Sequence, residues 1–144
     1  MNLLRLCAAA LILVALSADA RDDRLKFSVA DAMATPDAKA KLDGSVKFYW
    51  GKKKVPGGAK MMGTFTANKK TNFFNKSDQE ACNWAWLSAM ISLQERAKKE
   101  GGNAVVNIHS VYRNQEFTSE KEYECGAGSV TGGVALRGTV AKLR

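Results

Sequence analysis

Residues 77–102 read SDQEACNWAWLSAMISLQERAKKEGG, and this stretch decides the fold. Cys82, Ala85, Trp86, Ala89, Leu93 and Ala97 recur at spacings of three and four, which places them on one side of an α-helix. Ser77-Asp78-Gln79-Glu80 matches a capping box at the start. Gly101-Gly102 follows the end, with Lys98 and Lys99 in the last turn; the glycines accept positive φ and the lysines meet the negative end of the dipole. The pattern predicts one long helix over about residues 78–100. A second apolar group, Trp84, Leu87, Met90 and Ile91, falls on the neighbouring side, so the first half of this helix is apolar around most of its girth. Either the N-terminal segment covers that second side, or Trp84 and Trp86 present a face to a partner.

Outward from the helix, the flanking runs read as strands. Ser45 to Trp50 and Lys60 to Ala67 are rich in β-formers and are expected to pair as a hairpin across the turn-forming segment GKKKVPGG. Asn68 to Lys76 reads as loop. After the helix, Asn103 to Tyr112 suits a nearly central strand. Glu116 to Cys125 alternates, with Phe117, Tyr123 and Cys125 on one face and Thr118, Glu120, Glu122 and Glu124 on a solvated acidic one. The segment GAGSVTGG reads as a turn or bulged strand entry ahead of a last strand over Val134 to Leu143. Arg24 to Val29 reads as a short strand, followed by helical turns at Ala30 to Ala34 and Pro36 to Leu42. This order implies an α+β fold, one long helix packed on a mainly antiparallel sheet of four to six strands.

The chain has 144 residues, 46% hydrophobic and 25% charged, with a formal net charge of +8, which fits one packed domain and excludes a disordered chain. Met1 to Ala20 carries Arg5, an apolar run from Leu6 to Leu16, and Ala18-Asp19-Ala20, the small-x-small pattern of a signal peptidase site. Cleavage after Ala20 is expected, leaving a domain over residues 21–144. The apolar run rises only about 16 Å as a helix, roughly half a bilayer's hydrocarbon core, so no transmembrane anchor is expected. No Cys follows Ala20 directly, so no lipidated N-terminus is expected either. The export pattern points to a periplasmic or secreted location. Past residue 20 the cysteines are Cys82 and Cys125, an even number for an oxidising compartment, which favours one disulfide over two buried thiols.

Catalytic chemistry finds little support. The single His109 has no nucleophile elbow beside it, Cys82, Cys125 and His109 lack a close ligand pair for zinc, and the segment Gly58 to Thr64 lacks the Lys of a phosphate-binding loop. No cofactor or metal is expected, and an enzyme using His109 with acids of the Glu116 to Glu124 strand is the least favoured reading. Lys52, Lys53, Lys54, Lys60, Lys69, Lys70 and Lys76 fall within 25 residues that also hold Phe65, Phe73 and Phe74. Gathered along one edge, they would attract a lipid headgroup, lipopolysaccharide or an acidic protein; otherwise they are solvated loops guarding an edge strand. The export pattern and the lack of a recognised motif argue against nucleic acid. Asn75-Lys76-Ser77 is a glycosylation sequon.

The helix with Cys82, Ala85 and Ala89, followed by AKKEGGNAVV over residues 97–106, resembles the RcsF-like bacterial envelope proteins, in which a helix ends in a similar glycine-containing join. The likeness runs from about Cys82 to Cys125 and implies a small α+β periplasmic domain whose downstream Cys enters a disulfide. The sensor of that family is a lipoprotein that reports outer-membrane damage. This chain departs from it in lacking a lipobox, a Pro-rich linker and two further cysteines. The whole chain also resembles small exported bacterial proteins labelled as an excinuclease subunit, a label that its residues do not support. Two functions are therefore expected: a non-enzymatic envelope binding or sensing domain, contacting an envelope protein or anionic surface through Lys52, Lys53, Lys54, Lys69 and Lys70 or through Trp84 and Trp86, or an inhibitor or immunity-type protein that blocks a secreted hydrolase.

Overall fold

The sheet is organised around the last strand of the chain, which pairs with three others. The computed structural model describes residues 21–144, so the export segment, with Arg5 and Cys7, lies outside the described residues. In chain order the elements are β1 (Asp23–Ser28), α1 (Val29–Met33), α2 (Pro36–Lys41), β2 (Lys47–Trp50), β3 (Lys60–Asn72), α3 (Asp78–Glu100), β4 (Ala104–Ser110), β5 (Glu122–Ala127) and β6 (Thr131–Lys142), with a single 3-10 turn at Tyr112–Asn114 between β4 and β5. β3 runs antiparallel to β6 along its whole length. On the other side of β6, β5 pairs with its first residues and β4 with its last ones. β1 lies outside β5, antiparallel, and β2 lies outside β4, parallel. The result is an α+β fold with a six-stranded, mainly antiparallel sheet, one parallel pair and one long helix.

The expected hairpin between the two lysine-flanked strands does not form. β2 and β3 sit at opposite edges of the sheet, with β4 and β6 between them. A parallel partner requires a crossover connection, and β3 with α3 supplies it between β2 and β4. The segment 68–72, read as loop, is the end of β3, because each of its residues has a partner in Thr131–Ala135. The ladder overrides the weak strand preference of Asn and Lys there. The strand expected from Glu116 begins only at Glu122. Residues 112–121 instead form the 3-10 turn and an irregular stretch touching the sheet at one bridge, Ser110 with Phe117.

α3 begins as its sequence implies, with the Ser77 hydroxyl accepting from the Glu80 N–H at 3.1 Å, and ends with Gly101 at φ 83. One side of the helix lies on β3 and β6, burying Ala85, Trp86, Ala89, Leu93 and Ala97 against Val134, Leu136 and Val140. The N-terminal segment joins the same core through Val29, Ala32, Ala38 and Leu42. Gln94 of α3 donates to the Lys41 carbonyl at 3.2 Å, and Lys98 reaches Asp43 at 2.6 Å. Asp43 is held well below the usual carboxylate range by Lys98 and by hydrogen bonds from Ser45. At the other end of the helix, Arg21 grips Asp78 in the first turn and keeps its carboxyl below its usual range. Among the described residues no helix is long and apolar enough to cross a membrane.

Candidate functional site

Cys82 of α3 and Cys125 of β5 lie fully buried with their Sγ atoms 2.07 Å apart and their Cα atoms 5.9 Å apart, the geometry of a disulfide. Beside it the Tyr123 ring packs 5.9 Å from Trp86 and 6.1 Å from Phe27, and its hydroxyl donates to Asn83 at 2.6 Å. Burial pushes the Tyr123 phenol well above its ordinary range. Trp86 is therefore core. Trp84, two residues away and about 200° around the helix, is 41% exposed and borders a cleft with Thr35, Pro36 and Leu87. The face read from the two tryptophans together reduces to Trp84 alone.

The lysines divide as the strands do. Lys52, Lys53 and Lys54 leave the end of β2, whereas Lys69 and Lys70 lie on β3 at the opposite edge. The single edge of seven charges is not formed, because the two strands never pair. What the two groups share is a chain segment: residues 44–77 hold eight Lys and no Asp or Glu. Along β3 the side chains alternate, Phe65, Ala67 and Lys69 towards α3, and Thr66, Asn68 and Lys70 on the open face. Between β3 and α3 runs a groove of about 420 Å³, lined by Phe65, Thr66, Asn68, Lys69, Ser92 and Arg96. Arg96 stacks over the Phe65 ring at 4.0 Å, and its Nε lies 3.0 Å from Glu100. Sequence reading passed over Phe65 and Arg96 as a pair, since only the packing of α3 on β3 brings them together. The acid-free run was visible without any structure.

On the open face, β4 bulges where Asn107 adopts φ 51, and the bulge re-aims His109. His109 Nδ1 lies 2.8 Å from the Asn107 carbonyl, the position for a donated N–H, and Nε2 is 3.8 Å from Glu116. Glu116 is also 3.5 Å from Arg137, which donates to the Thr66 hydroxyl at 3.1 Å. Glu124, read as solvated, is buried: β1 brings Arg24 to 3.2 Å, and its N–H donates to the Ser110 hydroxyl at 2.8 Å. The His109 cluster thus takes one acid of the region, Glu116, and leaves Glu124 to a pair across the sheet. Among the described residues no group of three metal-ligating side chains converges.

Set against protein families, curated proteins and solved structures, the chain finds no match.

Proposed function

We propose that this protein is a non-catalytic binding domain of the bacterial cell envelope, exported by its N-terminal segment, that holds an anionic partner on the β3 side of its sheet. The observation that carries this reading is the acid-free segment of residues 44–77, which brings Lys69 and Lys70 onto β3 beside the groove lined by Arg96. Clustered lysines raise the local potential and draw negatively charged partners to the surface, and no acid within residues 44–77 offsets them. A buried Cys82–Cys125 pair supports work in an oxidising compartment, and the resemblance of residues 82–125 to RcsF-like envelope proteins agrees with it.

The test is capture from a periplasmic extract by the disulfide-bonded domain and by two variants, Lys69→Gln with Lys70→Gln, and Lys52→Gln, Lys53→Gln and Lys54→Gln together. Capture is expected to be salt-sensitive and lost in the β3 variant alone. A partner retained by both variants at high salt would rule the reading out.

A second reading, inhibition of a secreted hydrolase, draws on the turn between β3 and α3. There Phe74 is 64% exposed and Asn75 takes φ 57, which makes an aromatic-tipped projection of the kind that enters a cleft. If the captured partner is a hydrolase and Phe74→Ala releases it, inhibition becomes the function.

A further inference from the structure

The outer edge of β3 is an unfilled hydrogen-bond ladder, and the ladder can be assigned residue by residue. Phe73 donates its N–H to the Val130 carbonyl, and the register continues from Asn72 opposite Thr131 back to Thr64 opposite Thr139. Successive residues of an antiparallel strand turn their peptide groups to opposite edges. Phe65, Ala67, Lys69 and Thr71 therefore bond to β6, while Thr66, Asn68 and Lys70 direct N–H and C=O away from it. Among the described residues no strand pairs with this edge. The carbonyl of Asn72 accepts from Lys76 at 3.1 Å, which closes one end, and the irregularity at Gly63, φ 118, closes the other. The open stretch faces the groove beside α3.

We infer that this groove takes an extended, acidic segment of a partner protein as an added strand on β3. The inference rests on the binding reading above and names the partner's chemistry. Strand addition at an edge beside a helix supplies affinity through main-chain bonds and selectivity through alternate side chains. Acidic side chains along one face of the added strand meet Lys69 on the helix side of the sheet or Lys70 on its open face. A second copy of this chain is the wrong occupant, because its own β3 lies in the same acid-free, lysine-rich segment. An anionic bilayer would contact the lysines but leave the peptide groups of Thr66, Asn68 and Lys70 unpaired. The edges at β1 and β2 are poorer candidates, with six and four residues against thirteen in β3.

The experiment is amide hydrogen exchange by NMR on the oxidised domain, with a nine-residue peptide alternating Glu and Val, the same peptide N-methylated at alternate residues, and phosphatidylglycerol vesicles. The peptide is expected to slow the amides of Thr66, Asn68 and Lys70 about tenfold, and N-methylation to weaken binding about a hundredfold, since several main-chain bonds are lost. Asn68→Pro should weaken binding about tenfold, because it removes an N–H that serves no bond to β6 and is open to the added strand; the N-methylated peptide tests the same bonds on the unaltered chain should that variant not fold. Equal binding by the N-methylated peptide, protection of other amides, or no slowing at millimolar peptide overturns the inference. So does protection of the same three amides by the vesicles. If the peptide fails while Lys69→Gln with Lys70→Gln still loses its captured partner, the binding reading stands and strand addition falls.

Discussion

Tyr123 shows how one side chain can couple the core to solution conditions. Its ring sits between Trp86 and Phe27, its hydroxyl donates to Asn83, and burial raises its proton affinity above the usual range. The folded chain therefore keeps this proton at pH values where the unfolded chain, ionising near about 10, gives it up. The contribution to stability is complete below that pH and is lost as pH climbs above it. Tyr123→Phe should cost about 1 kcal/mol at neutral pH through the missing hydrogen bond, and should flatten the fall in the urea midpoint between about pH 9 and about pH 11. Parallel slopes for the two proteins would mean that the phenol is solvated when the chain is folded. Residue identity alone does not expose this role, since Tyr123 alternates in sequence like any half-buried strand residue. Trp84 and Trp86 teach the same lesson: on a helix apolar around its girth, composition does not tell which of two neighbouring aromatics faces the core.

At the scale of elements, α3 was legible because everything that makes it is local: a Ser cap, a three-and-four apolar spacing and terminal glycines within 26 residues. Ser77→Ala should destabilise the domain by about 1 kcal/mol, as expected for an N-cap that loses its acceptor, and Ser77→Asp should restore most of it. Urea unfolding of the three proteins checks this, and equal midpoints would show that Asp78 and Arg21 hold the first turn without the cap. The strands were legible as strands but not as neighbours. Phe, Tyr and Thr in β2 and β3 report a pleated, half-buried surface, yet the partner of β2 lies beyond α3 and that of β3 is the last strand of the chain. Asn68 to Asn72 became strand only because Thr131–Ala135 lay alongside. For the same reason the cationic edge could be seen as composition and not as geometry. The Lys runs and the acid-free segment are properties of the chain, whereas the separation of Lys52–Lys54 from Lys69–Lys70 and the groove beside Arg96 follow from long-range pairing.

At the scale of the whole molecule, one covalent link bears on all of these contacts. Cys82 lies in the second turn of α3 and Cys125 in β5, so the bond closes a loop with a sequence separation of 43 that contains most of α3, all of β4 and the irregular segment with Glu116. β3 and β6, the strands on which α3 mainly rests, lie outside that loop. The link therefore limits the freedom of the unfolded chain without being needed to align the groove between β3 and α3. In the chain-entropy account a loop of this size is worth about 4 kcal/mol, a large part of the stability of a domain of this length. Replacing both cysteines by Ala should lower the unfolding free energy by about 3 to 4 kcal/mol, while leaving the exchange pattern of β3, slow at Phe65, Ala67 and Lys69 and fast at Thr66, Asn68 and Lys70, intact in whatever fraction remains folded. Urea unfolding with hydrogen exchange on the same sample measures both quantities. A loss of the alternating pattern in the folded fraction would show that the link organises the β3 edge itself, and binding at that edge would then depend directly on the redox state of the compartment.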